Sequence, residues 1–196
     1  MSAPPRGRRE LPREVRIIGG LWKRSKLPVA DAPGLRPTPD RVRETLFNWL
    51  GHDLTGWRCL DAFAGTGALG LEAASRGATE VVLLERDRSA ARSLAQSAER
   101  LKAGGVRVEC AEALAWMARC PPAAFEVIFI DPPFDSDLAE PAMAAAARLV
   151  VEDGLVYVEL ARALEPADLA GLPLQIARHG RAGSVHYHLL RRVAPS

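Results

Sequence analysis

With 196 residues, 48% of them apolar and 26% charged, the chain has the balance of one soluble globular domain, long enough to bury roughly 70% of its unfolded surface. No apolar run reaches the length of a membrane span, the arginine-bearing N-terminus lacks the apolar stretch of a secretory signal, and Cys59, Cys110 and Cys120 are odd in number without CxxC spacing. These features argue against membrane, secreted disulfide-stapled and zinc-site classes and lead us to expect buried, reduced thiols in a cytoplasmic protein.

Residues 1–13, with three prolines and four arginines, read as a disordered basic tail. Residues 14–36 read as a β-hairpin appendage: a strand through Val15-Arg-Ile-Ile-Gly-Gly20, then a partner from Leu21 to Val29. The net charge of +2 is unevenly spread. Residues 1–45 carry eleven Lys/Arg against five Asp/Glu, which leaves the remainder at −4. A basic arm on a mildly acidic body suits a phosphate-rich partner, with Arg16, Lys23, Arg24, Lys26 and Arg41 as candidate RNA contacts. Trp22, set among Lys and Arg, is a further stacking candidate, whereas Trp49, Trp57 and Trp116 read as core.

Residues 37–196 read as the catalytic domain. Thr38 is placed as a helix N-cap, with Pro39 at the first helical position. Val42, Leu46, Trp49 and Leu50 form the apolar stripe of that helix, and Arg41 and Arg43 fall away from it. From Trp57 onward the pattern alternates strand and helix. Strands are predicted at 58–62, 80–85, 106–110, 125–131 and 155–160, with helices at 69–76, 89–102, 112–119 and 138–151 between them. Strands at 172–178 and 185–191 have no helix between them, and the Gly180–Gly183 turn closes them as an antiparallel hairpin. The predicted fold is therefore α/β, Rossmann-like, with a mostly parallel seven-stranded sheet and a C-terminal antiparallel hairpin.

Gly65, Gly67 and Gly70 spell G-x-G-x-x-G between the first strand and helix of this domain, and Glu85 ends the next strand twenty residues after Gly65. Glycines allow close approach of a ligand, the helix N-terminus offers free N–H groups, and a carboxylate at the next strand end accepts ribose hydroxyls. That much suits NAD or S-adenosylmethionine (SAM). Asp61-Ala-Phe-Ala64 lengthens the loop and begins it with an acid, which attracts the ammonium of SAM and repels a pyrophosphate. The candidate cofactor set is Asp61, Phe63, Gly65, Thr66, Gly67, Glu85, Arg86, Glu112 and Ala113, and Glu112 reads equally as a helix-start acid.

Asp131-Pro-Pro-Phe134 ends the fourth strand of the domain, beside the first in a doubly wound order, at the edge where such folds bind ligands. An exocyclic amine is a weak nucleophile because its lone pair is delocalised into the ring. The Asp131 carboxylate and the Pro132 carbonyl can accept hydrogen bonds from its two protons and favour the pyramidal form, Pro132 and Pro133 stiffen the platform, and Phe134 stacks on the base. Asp131, Pro132, Pro133 and Phe134 are the candidate catalytic set. His186 and His188 share one face of a strand but lack a third ligand, so an exposed or edge-strand role is expected and no metal.

Val15-Arg-Ile-Ile-Gly-Gly20, Leu35-Arg-Pro-Thr38, Val42-Arg-Glu-Thr-Leu-Phe-Asn-Trp-Leu50, Leu60-Asp-Ala-Phe-Ala-Gly-Thr-Gly67 and Asp131-Pro-Pro-Phe134 together resemble the RsmD family of bacterial 16S rRNA guanine-N2 methyltransferases over residues 15–192. The resemblance implies SAM-dependent methylation of one loop guanine, guanine 966, acting on the small ribosomal subunit rather than bare RNA. It also implies that Asp131 to Phe134 hold the guanine, that Asp61, Gly65, Gly67 and Glu85 hold SAM, and that Arg36 and Thr38 lie by the pocket mouth as candidate RNA contacts. A monomer is expected. A DNA adenine-N6 or other amino methyltransferase, a NAD-dependent oxidoreductase and a noncatalytic rRNA-binding protein are the competing readings. The chain has no separate target-recognition domain, no His/Lys/Tyr constellation beside the glycines, and an intact motif set, which disfavour the three in turn.

Overall fold

In the computed structural model, which describes residues 14–29 and 38–194, β1 (Glu14–Arg16) and β2 (Lys26–Pro28) pair antiparallel as the expected N-terminal hairpin. The basic tail expected at 1–13 and the candidate contact Arg36 lie outside the described residues. The partner strand is shorter than the predicted 21–29, because residues 21–24 form a turn flanked by Gly20 and Arg24 at positive φ, each 73°. Val15, Ile17 and Leu27 are buried, and their burial comes from the domain beneath, since a two-stranded ribbon has no core of its own.

α1 (Asp40–Leu50) begins after the predicted cap. Pro39 is the N-cap, and no side chain caps the helix, because the Thr38 hydroxyl is turned toward two carboxylates instead. The buried face is Val42, Arg43, Leu46, Phe47 and Leu50, while Trp49 is half-buried. Arg43 therefore corrects the expectation that it falls away from the stripe. Its guanidinium donates to the Arg16 and Thr38 carbonyls and pairs with Asp40 at 2.6 Å and with Glu72 at 3.7 Å. The hairpin covers the side of α1 that helical periodicity assigns to solvent.

The remaining elements follow in chain order: β3 (Arg58–Asp61), α2 (Ala68–Ser75), β4 (Glu80–Glu85), α3 (Arg88–Arg100), β5 (Val106–Cys110), α4 (Ala113–Arg119), β6 (Phe125–Ile130), α5 (Ala139–Leu149), β7 (Val150–Leu160), a 3₁₀ turn (Pro166–Leu169), β8 (Leu174–Ala182) and β9 (Val185–Arg192). The sheet order is β5-β4-β3-β6-β7-β9-β8. The first five strands run parallel, and β9 lies antiparallel between β7 and β8. β3, β4 and β6 are buried at nearly every position, as continuous apolar runs require when helices cover both faces. β7 starts at Val150 rather than 155, and β8 runs on to Ala182, so the hairpin turn narrows to Gly183-Ser184.

Two apolar layers flank the sheet. One joins α1, α2 and α3 with Ile17 and Leu27 of the hairpin region, and the other holds α4, α5 and the 3₁₀ turn. Phe47, Phe129 and Tyr157 make a tilted aromatic chain through the first layer, with centroids 6.2 and 6.4 Å apart. Burying each such ring is worth roughly 1.5–3 kcal/mol. The hairpin is fastened to α2 by polar groups. Glu72 accepts from the Ile18 and Gly19 N–H groups at 2.7 and 2.8 Å, and Ser75 accepts from the N–H groups of Leu21 and Trp22.

Three expectations need correction here. Trp22 is half-buried against the first layer, so it belongs to the packing, and its neighbour Leu21 is left out in solvent. Cys59 is buried, but Cys110 is exposed and Cys120 half-buried. His188 lies inside the sheet, where its Nε2 accepts from Leu164 N–H at 3.0 Å and burial lowers its pKa to about 4. Across the hairpin His179 stacks on both His188 and His186. Among the described residues no cluster of three or more metal-ligating side chains occurs, and no helix is long and apolar enough to cross a membrane.

Candidate active site

The chain order reverses between β3 and β6, so the loops after these neighbouring strands diverge and leave a crevice at their carboxyl ends. A cleft of about 470 Å³ occupies that crevice, a volume typical of small-molecule sites. Its walls bring together Asp61, Phe63, Gly65 and Thr66 after β3, Glu85 and Arg86 after β4, Glu112 and Ala113 after β5, and Asp131 to Phe134 after β6. Thr38 reaches it from the segment before α1.

The loop after β3 is shaped by its own acid. Asp61 Oδ2 accepts from Gly70 N–H at 3.0 Å, which draws the start of α2 onto the strand end. Gly70 must lack a side chain, since a Cβ there would stand 2.1 Å from Leu83. Gly67 is the N-cap of α2 at φ 77°, where a Cβ would meet Leu94 at 2.3 Å. It stands behind the cleft wall and gives the loop its turn, whereas Gly65 faces the cleft. Glu85 spans the opposite wall, accepting from Gly65 N–H at 3.1 Å and from Asp87 N–H at 2.7 Å.

Burial pushes the Asp61 carboxyl up to about 7. Among the described residues no salt bridge neutralises it. A buried acid facing a cleft without a cation of its own fits a ligand that brings one. Glu85 stands across the cleft, so a pyrophosphate would meet carboxylates on both sides. The donor set fits SAM: Asp61 for the ammonium, Glu85 for the ribose hydroxyls, and the turn at Phe63 to Thr66 for close approach. Glu112 is the N-cap of α4, with its carboxylate accepting from the N–H groups of Leu114 and Ala115 at 3.2 and 2.8 Å. Each oxygen thus holds one cap bond and keeps acceptor capacity, as those of Glu85 do, so that strand end offers the cleft both the Glu112 carboxylate and the backbone of Ala111 to Ala113.

On the reacting side, Pro132 is buried and Phe134 is 44% exposed at the cleft wall. The Pro133 carbonyl accepts from Ser136 N–H and Oγ–H at 3.0 and 2.6 Å, which ties the turn down. The Pro132 carbonyl accepts from no donor among the described residues. Burial raises both the Asp131 and the Glu159 carboxyls above their usual range, and a charge on Glu159 would raise Asp131 further. Glu159, on β7, is the functional residue that sequence reasoning missed. Its Oε1 accepts from Tyr157 at 2.8 Å and lies 3.0 Å from Thr38 Oγ1, which is itself 3.2 Å from Asp131 Oδ2. The readable signal was an acid inside the apolar run Leu155-Val-Tyr-Val-Glu-Leu160.

The candidate RNA contacts are dispersed and unequal. Arg16 pairs with Asp40 at 2.6 Å and Lys26 with Glu14 at 2.7 Å. Lys23, Arg24 and Arg41 are exposed and have no ion pair among the described residues. Thr38 is not a surface contact but a buried part of the cleft.

The family model described as Conserved hypothetical protein 95 matches residues 15–191. The Escherichia coli protein named ribosomal RNA small subunit methyltransferase D is 42% identical over 186 residues, covering 92% of this chain and 91% of that one. Its Haemophilus influenzae namesake is 44% identical over 151 residues, 74% of this chain and 78% of its own. The solved structure of Escherichia coli yhhF has a TM-score of 0.79 and 42% identity, covering 93% of this chain and 99% of that one. Fold, cleft and these likenesses agree: the cofactor is SAM, and this chain belongs to the Conserved hypothetical protein 95 family, the RsmD methyltransferases whose motifs its sequence carries.

Proposed function

We propose that the chain methylates the exocyclic N2 amine of one loop guanine of 16S rRNA, guanine 966, acting as a cytoplasmic monomer on the small ribosomal subunit. The observation that carries this reading is the juxtaposition of Asp131 and the free Pro132 carbonyl with the cofactor wall in one cleft. When bound, SAM would supply an electrophilic methyl carbon, the N–C bond forming as the C–S bond breaks with its electron pair left on sulfur. Asp131 and the Pro132 carbonyl accept hydrogen bonds from the two N–H groups of the amine, Phe134 stacks on the ring, and the lone pair is released toward the methyl carbon. The methylated nitrogen, cationic at that moment, gives its extra proton to Asp131, which passes it to water when product leaves. A stacked base would have to be flipped out, and a loop base needs less work.

The test is labelled-methyl transfer to assembled small subunits, naked 16S rRNA and duplex DNA in parallel, with the product nucleoside identified. N2-methylguanosine formed mainly in subunits supports the proposal. N6-methyladenine in DNA would overturn the substrate and keep the amine chemistry. No transfer with SAM bound would overturn both.

Two further results are expected. Because burial raises the Asp61 carboxyl to about 7, the folded cofactor-free chain holds a proton that the unfolded chain releases at lower pH. This group therefore favours folding in acid, and its contribution is lost as pH rises through about 7. A bound ammonium reverses that preference. SAM should bind more tightly as pH is raised from about 5.5 to 8, with proton release below 7, and Asp61→Asn should flatten the dependence. Calorimetry in two buffers of different ionisation enthalpy measures the release, and an unchanged pH dependence in Asp61→Asn would remove Asp61 from the ammonium site.

For RNA docking, Lys23→Gln with Arg24→Gln should lower the slope of log K against log salt by up to about 1.5. Arg16→Gln with Lys26→Gln should change it less, since Asp40 and Glu14 already hold those charges. Anisotropy titrations across salt decide this, and equal slopes in all variants would take the hairpin out of the interface.

A further inference from the structure

Glu159 is 3% exposed and does not line the cleft, yet it is wired to a residue that does. Tyr157 Oη donates to its Oε1, and Thr38 Oγ1 stands between that same atom at 3.0 Å and Asp131 Oδ2 at 3.2 Å. Thr38 owns a single hydroxyl hydrogen and can donate to only one of the two carboxyls. With both ionised, one carboxylate would face a hydroxyl lone pair inside a buried network. One proton completes the chain. Placed on Glu159, it donates to Thr38 Oγ1, the Thr38 hydroxyl donates to Asp131 Oδ2, and Asp131 stays ionised with Oδ1 left for the substrate amine. Placed on Asp131, it reverses both bonds and disables the acceptor.

The surroundings hold that proton in the network. Asp61 faces the pair from β3 and Tyr187 from β9, and neither is a cation. The nearest guanidinium, that of Arg43, donates to the Thr38 carbonyl and pairs with Asp40 and Glu72, not with Asp131 or Glu159.

We infer that Glu159 is the positioning residue that stores this proton and, through the Thr38 hydroxyl, keeps Asp131 ionised and aimed at the incoming amine. The inference rests on the reading of Asp131 as acceptor of the substrate amine. It also explains why Thr38, though placed before a helix, does not cap it.

The full-length protein tests this with assembled small subunits as substrate, measuring kcat, KM and SAM affinity for Glu159→Ala, Glu159→Gln and Thr38→Val. The first and third should lower kcat on the order of 10²-fold, as a misplaced reacting group does, with SAM affinity within about threefold. Glu159→Gln should recover most of that loss, because an amide NH₂ can donate to both Thr38 Oγ1 and Tyr157 Oη. Wild-type kcat should fall at alkaline pH, where the stored proton is lost, and Glu159→Gln should lack that limb. Carboxyl ¹³C shifts of labelled wild-type protein, with Glu159 assigned by its loss in Glu159→Gln, should report a neutral Glu159 near neutral pH. Glu159→Gln as slow as Glu159→Ala, Glu159→Ala at the wild-type rate, or an ionised Glu159 signal would each overturn the inference. The ¹³C result is independent of substrate and stands even if the wild type methylates something other than guanine.

Discussion

Asp131→Ala is expected to lower methyl transfer by about 10³-fold or more while SAM affinity stays within about threefold. The residue closes β6 and reaches the cleft, but its recorded hydrogen bond runs to Thr38 and not to the loop after β3. Loss of the carboxylate removes the strongest acceptor for the amine and the first acceptor of the product proton, and positioned proton acceptors contribute roughly 10²–10⁴-fold. Asp61, Gly65 and Glu85 keep their mutual contacts, because none of them bonds to Asp131. Single-turnover rates on small subunits, set beside calorimetric SAM binding, separate the two roles. Equal loss of both would show that the β6 turn shapes the cofactor wall as well.

The second large effect concerns stability. Glu72→Ala should cost about 3–5 kcal/mol, the range found when one partner of a buried ion pair is removed. Glu72 is fully buried in α2 and holds the side chain of Arg76 at 2.8 Å, Arg43 at 3.7 Å, and the backbone N–H groups of Ile18 and Gly19. Its removal leaves two half-buried backbone donors without their acceptor and two guanidiniums short of a counter-charge. Arg43 Nη1 already lacks a hydrogen-bond partner, so it has no second acceptor to turn to. At this chain length the midpoint of thermal unfolding should fall by roughly 10 °C. Glu72→Gln, which preserves shape and one acceptor, should fall less. A loss below about 1 kcal/mol in Glu72→Ala would mean that water or a shifted hairpin replaces the carboxylate.

What the sequence made legible was whatever depends on near neighbours. The strand at 80–85 and the strand at 106–110 fall where their apolar runs put them, and the glycine loop and the β6 turn meet in one cleft because sheet order alone brings those strand ends together. The misses share a different cause. Thr38 looks like a helix cap until one sees partners 93 and 121 residues away. Arg43 looks solvent-facing until the hairpin covers it through Arg16. Glu72 and Glu159 each have one partner at regular spacing nearby, Arg76 and Tyr157. The contacts that tie them to the hairpin and to Thr38 come from other elements, and spacing along one element contains no trace of those. Glu112 was undecidable from sequence because a helix-start acid and a ligand contact occupy the same position, and in the structure its carboxylate caps the helix while lining the cleft.

The turn after β6 also carries a discrimination that contact strength alone would not provide. Its Pro132 carbonyl is unclaimed, the prolines contribute no N–H, and the adjoining side chain is a carboxylate. A uracil or any ring presenting a keto oxygen at that point would bring an acceptor to a ledge made only of acceptors. Both partners would then sit dehydrated and unsatisfied, at about 1–3 kcal/mol for each such group. Under the role proposed for this turn, rejection of the wrong base would work by frustration rather than by a better grip on the right one, with no residue dedicated to exclusion.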